Sequence, residues 1–198
     1  MHRSDLEHLI GAAAAITDQH EIVIVGSQSI LGAFPTAPEV LLASMKADFY
    51  PLHRPELADL IDGFIGELSP FHETFGYYAQ GVGSETAILP AGWERRLVTI
   101  QNDNTNLKIG LCLDPHDLAA SKLAAGREKD WLFVEAMLKH KLVTADALAE
   151  RIETLPIRDA VRALLKSWLA QHRLTEPRPG TGGGTATSDV SSSVTPSP

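Results

Sequence analysis

Positive charge is scarce in this chain. Lys and Arg number 17 against 25 Asp and Glu, which leaves a formal charge of −8 at pH 7 over 198 residues. A broad grip on DNA or RNA needs basic surface and released counterions, so this balance argues against one, whereas a nucleotide needs only a few local cations. Cysteine is scarcer still. Cys112 stands alone, in the apolar run 109–113, so no disulfide framework and no thiolate metal site can form within one chain. It reads as a buried strand cysteine in a reducing compartment. The eight histidines show no pair at metal-ligand spacing. Long apolar runs are missing too: none approaches the ~18 residues of a membrane span. Residues 1–7 carry Asp5 and Glu7 and no continuous apolar core, unlike a signal peptide. The expectation is a soluble cytoplasmic protein with no membrane contact.

What is present is ordinary globular material. A hydrophobic content of 44% suits a packed domain, and a chain of this length buries a sizeable core. A helix is expected over 4–17, with Ser4 as cap, Glu7 three residues later, and Leu6, Ile10 and Ala13 on one face. A buried strand at 22–25 is followed by a short helix at 28–31. A loop around Pro35 and Pro38 then leads to a second strand at 47–50. An amphipathic helix spans 56–68 through Leu57, Leu60, Ile61, Phe64 and Ile65. Strands at 76–82, 86–89, 96–101 and 108–113, separated by Gly, Asn and Pro, suggest an antiparallel meander with a turn at Asn102-Asp103-Asn104. Asp114 as cap and Pro115 at the first helical position open a helical region with segments at 118–125, 128–140, 144–154 and 157–172. After Leu174 the composition collapses to Gly, Pro, Ser and Thr, too little apolar surface to offset conformational entropy. Gly182-Gly183-Gly184 has neither a strand before it nor a helix after it, so it is not a phosphate loop. The predicted organisation is one α+β domain over 1–173, helical from 114, and a disordered tail over 174–198.

Three constellations carry chemistry. In Ile22-Val23-Ile24-Val25-Gly26-Ser27, the glycine allows close backbone approach to a phosphate and the helix start behind it offers free N–H groups. The same dipeptide also serves as a plain turn. Asp48 is a single carboxylate in the strand Ala47-Asp48-Phe49-Tyr50. Nucleotidyl transfer uses carboxylates to hold Mg2+ against a triphosphate, and acids two apart on a strand share a face. Here Lys46 occupies the partner position, and Glu39 is a second acid nearby. Taken alone, an Asp between Ala47 and Phe49 is more often a structural residue. In the third constellation Lys122 sits among small apolar residues, Gly126-Arg127 opens a further helix, and Asp130 can orient one of the two cations; the alternative is a solvated helix junction. The aromatic segment 71–83 reads as a core strand with tyrosines at its edge or, less readily, as one wall of a nucleoside pocket. His116-Asp117 matches a dipeptide of metal phosphohydrolases, which need more ligands than this chain supplies.

Together, Gly26-Ser27-Gln28-Ser29-Ile30-Leu31-Gly32, Ser44-Met45-Lys46-Ala47-Asp48-Phe49-Tyr50-Pro51 and the block from Asp117 to Asp130 resemble a family of bacterial nucleotidyltransferase-like proteins of unassigned function, as does segment 71–83. That family is similar to the abortive-infection nucleotidyltransferase toxins of toxin–antitoxin systems, in the DNA polymerase beta superfamily. The resemblance runs from residue 21 to 140. It implies a minimal polymerase-beta-like fold with a mixed sheet and C-terminal helices. By motif, Gly26 and Ser27 match the phosphate-contacting pair, Asp48 the second acid of an acid–x–acid strand, Lys122 the phosphate lysine and Asp130 a late acid. Lys46 departs from the pattern at the first acid.

The implied activity is metal-dependent transfer of a nucleoside monophosphate from an NTP to an acceptor such as a tRNA, a protein side chain or a small molecule. Asp48, Lys122 and Asp130 would be catalytic; Gly26, Ser27 and Arg127 would hold the nucleotide; Asp48 and Glu39 would hold Mg2+ or Mn2+. A cognate antitoxin or neighbouring-gene protein is the implied partner. The alternative is a degenerate member of the fold acting as a nucleotide-binding or interaction module, with Lys46 as its support.

Overall fold

The computed structural model describes residues 1–173; the expected disordered tail at 174–198 lies outside the described residues. A five-stranded sheet carries the order β3-β2-β1-β5-β4, with β1 at Glu21–Val25, β2 at Lys46–Pro51, β3 at Tyr78–Gly81, β4 at Val98–Ile100 and β5 at Ile109–Cys112. β1 is central because its run of β-branched residues has no polar face to show water: Ile22, Val23 and Ile24 are fully buried. Such continuous apolar runs mark strands covered on both faces. β1 pairs antiparallel with β2 and parallel with β5. Gly110 on β5 lets the first helix close onto the sheet, since a Cβ there would sit 2.4 Å from Ile10 Cδ1.

That helix, α1, spans Arg3–Thr17 and begins earlier than the Ser4 cap predicts. The His2 N–H donates to Asp5 Oδ2 at 2.7 Å, so the cap reads two residues upstream. Glu7 is thereby released from capping. It is buried, pairs with Arg3 at 2.8 Å, and accepts from Asn102 and Asn104, each at 2.9 Å. Burial alone would raise its carboxyl; the bonds from Asn104, Arg3 and Asn102 outweigh this and hold it below its ordinary range. The residue read as a cap ties α1 to the turn before β5.

The meander is corrected. β4 and β5 do form an antiparallel pair, but β3 pairs parallel with β2, Asp48 opposite Gln80. Parallel neighbours need a crossover, and α2 at Ala58–Ile65 lies within it. α2 is shorter than the predicted 56–68 because Gly66 at its end turns extended and Leu68 adopts a φ of 62°. A separate helix, α3, follows at Pro70–Phe75, capped by Ser69 accepting from the His72 N–H at 3.2 Å. The Ser-Pro pair signals that start. Residues 86–89 form no strand; they are loop, and one of the four strands of the predicted meander disappears with them.

The C-terminal helices follow the reading closely: α4 Pro115–Ala125, α5 Glu128–Lys139, α6 Ala145–Glu153 and α7 Asp159–Arg173. Asp114 caps α4 by accepting from the His116 N–H at 2.9 Å and that of Asp117 at 3.4 Å. Thr144 caps α6. The alanines of α4 bring it against α5, α6 and the 3-10 helix Ser27–Gly32, which places α4 between the helical part and the end of β1. Cys112 is fully buried, and burial pushes its thiol up to about 12, so it is packing and not a nucleophile. No helix among the described residues is long and apolar enough to cross a membrane.

Candidate functional site

The sheet register brings the first two constellations together. Val25 stands opposite Asp48, so the chain leaves β1 beside the only carboxylate of β2. Gly26 has a φ of 74°, and a Cβ built on it would lie 2.5 Å from Asp48 Oδ2. Glycine is thus required twice here, by conformation and by the approach of the carboxylate. Ser27 then starts the 3-10 helix.

The third constellation reaches the same place from the helical part. Gly126, with a φ of 72°, ends α4 in the left-handed conformation, and Arg127 is the extended cap of α5. This corner brings Lys122 and Asp130 side by side from facing helices. Lys122 Nζ donates to Asp130 Oδ1 at 2.8 Å and to Ser27 Oγ at 3.0 Å, and stands 5.3 Å from the Phe133 ring centroid. Arg127 Nε donates to the other oxygen of Asp130 at 2.5 Å. The Asp130 side chain is 1% exposed, that of Lys122 10% and that of Arg127 60%. Burial pushes the Asp130 carboxyl up, but the bonds from Arg127 and Lys122 and their charges win, and it sits below its ordinary value. It is a fixed anion that holds two cations at the mouth of the site.

These groups line a cleft of about 250 Å³ together with Lys46, Ser44, Val40, Lys129 and Phe133. A second hollow of about 160 Å³ shares Asp48, Lys122 and Arg127 with it and is otherwise mainly apolar, lined by Val25, Ala87, Ile88, Leu118 and Ala125. The loop 86–89 mistaken for a strand forms part of that wall. One side of Asp48 is therefore cationic, the other apolar.

β2 alternation puts Lys46, Asp48 and Tyr50 on one face. The Tyr50 hydroxyl is pushed up to about 12 by burial, reinforced by the charge of Glu94, so it gives up no proton near neutrality. Lys46 Nζ stands 2.9 Å from Asp48 Oδ1 but off the line of a hydrogen bond, which leaves that oxygen without one. The aligned bond of the ammonium runs to Gln80 Oε1 at 2.6 Å. The three strand positions grouped here, 46, 48 and 80, carry one acid, one amide and one cation.

The expected metal does not fit this donor set. Glu39 is exposed in the 3-10 helix Glu39–Leu41 and is not among the residues lining the cleft. Among the described residues no three His, Cys, Asp or Glu side chains gather as a metal site. A divalent ion at the usual ~2.1 Å from Asp48 Oδ1 would stand within about 5 Å of the Lys46 ammonium, a repulsion of up to roughly 7 kcal/mol at an effective dielectric near 20. Lys46 is a third exposed and can swing aside, so that figure is a ceiling, but a single carboxylate is little to set against it.

The remaining sequence readings fall elsewhere. The aromatic segment does not line the cleft: Phe71, Phe75 and Tyr77 cluster around His8 of α1, with the Tyr77 hydroxyl 2.8 Å from His8 Nδ1. His116-Asp117 is structural. Asp117, fully buried, takes Arg96 in two bonds of 2.8 and 3.0 Å and Arg151 at 3.0 Å, while His116 Nε2 accepts from the Thr144 N–H. The reading missed Gln80, Lys129 and Phe133. Lys129 and Phe133 flank Asp130 closely in sequence, whereas nothing local marks Gln80.

A family model described as a nucleotidyltransferase of unknown function (DUF6036) matches residues 4–166. The chain belongs to that family. The match takes in the sheet, the cleft and the helices through about half of α7, so the strand, the Gly-Ser turn and the α4–α5 corner are parts of one nucleotidyltransferase-family domain. No curated protein and no solved structure matches the chain.

Proposed function

We propose that the cleft grips the triphosphate of a nucleoside triphosphate, and that the protein transfers the nucleoside monophosphate to an acceptor hydroxyl. The observation that carries this is the gathering of Lys46, Lys122, Arg127 and Lys129 in one cleft of a chain whose net charge is −8. Its two carboxylates, Asp48 and Asp130, are each already beside a cation, so the surplus is positive. Each such cation near a phosphate oxygen contributes up to about 4 kcal/mol at ~4 Å before desolvation. Lys122, held by Asp130 and Ser27, is pre-oriented and loses little freedom when an anion arrives. The apolar hollow beyond Asp48 suits the nucleoside end of the same ligand.

In the transfer, the acceptor oxygen attacks the α-phosphorus, the bond from that phosphorus to the bridging oxygen breaks, and pyrophosphate leaves. Lys122 and Arg127 neutralise charge on the leaving group. Asp48, which lines the cleft beside the Gly26-Ser27 turn, takes the acceptor's proton. Among acceptors, the acidic chain favours a protein side chain or a small molecule over tRNA, and an antitoxin-like partner would be recognised by its occlusion of this cleft.

One observation favours a second reading, nucleotide binding without transfer: Lys46 stands against the only acid of the strand. Incubation with each α-labelled NTP, with transfer of the label to an acceptor and release of unlabelled pyrophosphate as the two readouts, separates the two. Transfer is expected to disappear in Asp48→Ala while the melting temperature stays within about 4 °C of the parent; activity surviving that change would remove Asp48 from the site. Binding with no pyrophosphate release from any nucleotide or acceptor selects the module.

A further inference from the structure

We infer that Lys46 takes the place of a divalent cation, so that this cleft binds a nucleoside triphosphate with no metal. The inference rests on the triphosphate reading above and concerns how the anion's charge is met. Carboxylates attract a divalent ion only as a group. Here the position beside Asp48 on the same strand face is a lysine, and the register neighbour on β3 is Gln80.

Lys46 is also built in, not merely present. Its ammonium is fixed from two sides, by the Gln80 carbonyl oxygen at 2.6 Å and the Asp48 carboxylate at 2.9 Å. Both anchors lie on the sheet, so the third face of the ammonium is turned to the cleft it lines. An ammonium has three donors; the bond to Gln80 uses one, and the Asp48 contact is an ion pair off the hydrogen-bond line, so donor capacity remains for a phosphate oxygen. Across the cleft, Lys122 is fixed in the same manner by an acid and a neutral acceptor, Asp130 and Ser27. Two lysines, each held by one carboxylate and one neutral oxygen, thus face one space from the sheet and from the helical part. Arg127 and Lys129, both exposed at the rim, add charge without such fixing. Mg2+ complexed to a triphosphate lowers its negative charge and so weakens its attraction to these cations. The metal that an acid-rich site would require is here a competitor.

Titration calorimetry on the full chain, with ATP and with inorganic tripolyphosphate, each in EDTA and in excess Mg2+, tests this. Both ligands are expected to bind in EDTA at least as tightly as in Mg2+. Lys46→Met is expected to lower affinity in EDTA by about tenfold or more, since it removes a charge-assisted bond and leaves Asp48 uncompensated against the phosphates. Lys46→Asp places two acids on one strand face and is expected to bind Mn2+ directly, seen by electron paramagnetic resonance without nucleotide. Should that variant fail to fold, Lys46→Met carries the test alone. Binding that requires Mg2+ in the parent and is indifferent to Lys46→Met overturns the inference and leaves the triphosphate reading standing. No binding of either ligand in either condition overturns both.

Discussion

Two buried carboxylates on neighbouring helices of this molecule hold two cations each, and they do opposite work. Asp117 on α4 is fully buried and is held by Arg96, from the 3-10 helix before β4, and Arg151 of α6. Arg96 also donates to the Ala91 carbonyl. Asp130 on α5 is as buried, yet its cations, Lys122 and Arg127, line the cleft. The first cluster is structural: Arg96 ties α4 to the segment before β4, and Arg151 ties α4 to α6. The second is open, since Lys122 and Arg127 keep donor capacity directed at solvent. Equal burial and equal ion-pair counts do not separate the two carboxylates; the cleft that Lys122 and Arg127 line does.

The strongest way to break this comparison is Asp117→Ala. It strands two guanidinium groups in partly buried positions, and a loss of about 3 to 5 kcal/mol is expected, measured by urea unfolding. A loss below about 1 kcal/mol would mean that the Asp117 cluster is not what ties α4 to these neighbours.

Asp130→Asn is expected to cost less, about 2 kcal/mol, because Lys122 can keep Ser27 and Arg127 can turn to water. It also sharpens the comparison through pH. The Asp130 carboxyl is held below its ordinary value, so its contribution is complete above the unfolded value near ~4 and is lost as pH falls through the folded one. Thermal unfolding followed from pH 6 down to pH 2 should show a shallower acid limb in the variant. An unchanged limb would remove Asp130 from the account.

Arg127→Ala is the smallest in stability, under about 0.5 kcal/mol, since the side chain is largely exposed. Its nucleotide effect is the opposite: triphosphate affinity is expected to fall about fivefold to tenfold. A variant that loses stability but no affinity would turn the open cluster into a second structural one.

The parts of the fold legible in the sequence were those with a local cause. The β-branched run at Ile22–Val25 has no solvent face, and Asp114-Pro115 is a cap followed by a ring that fits the first helical turn. The Ser69-Pro70 start of α3 carried the same kind of signal and went unread. The capping reading at Ser4 and Glu7 failed because a residue pattern three apart is satisfied by more than one frame. Asp5 closes the frame in use, and Glu7 goes to Arg3, Asn102 and Asn104. Residues 86–89 have strand composition but no partner, and a strand exists only through its ladder.

The site divides along the same line. Composition, the Gly26-Ser27 turn, Asp48 and the Lys122-to-Asp130 block were set by the sequence alone, because a glycine that ends an apolar run, a lysine among alanines and a lone acid in a strand are each visible without knowing their neighbours. Only the tertiary structure decided that these belong to one cleft, that Glu39 is outside it, that Gln80 stands beside Lys46, and that Asp117 pairs with Arg96 and Arg151 while Asp130 holds two cations that line the cleft. The reason is physical: strand register and helix docking are contacts between residues far apart in the chain, and the charge of a site is a property of what is packed together, not of any one segment.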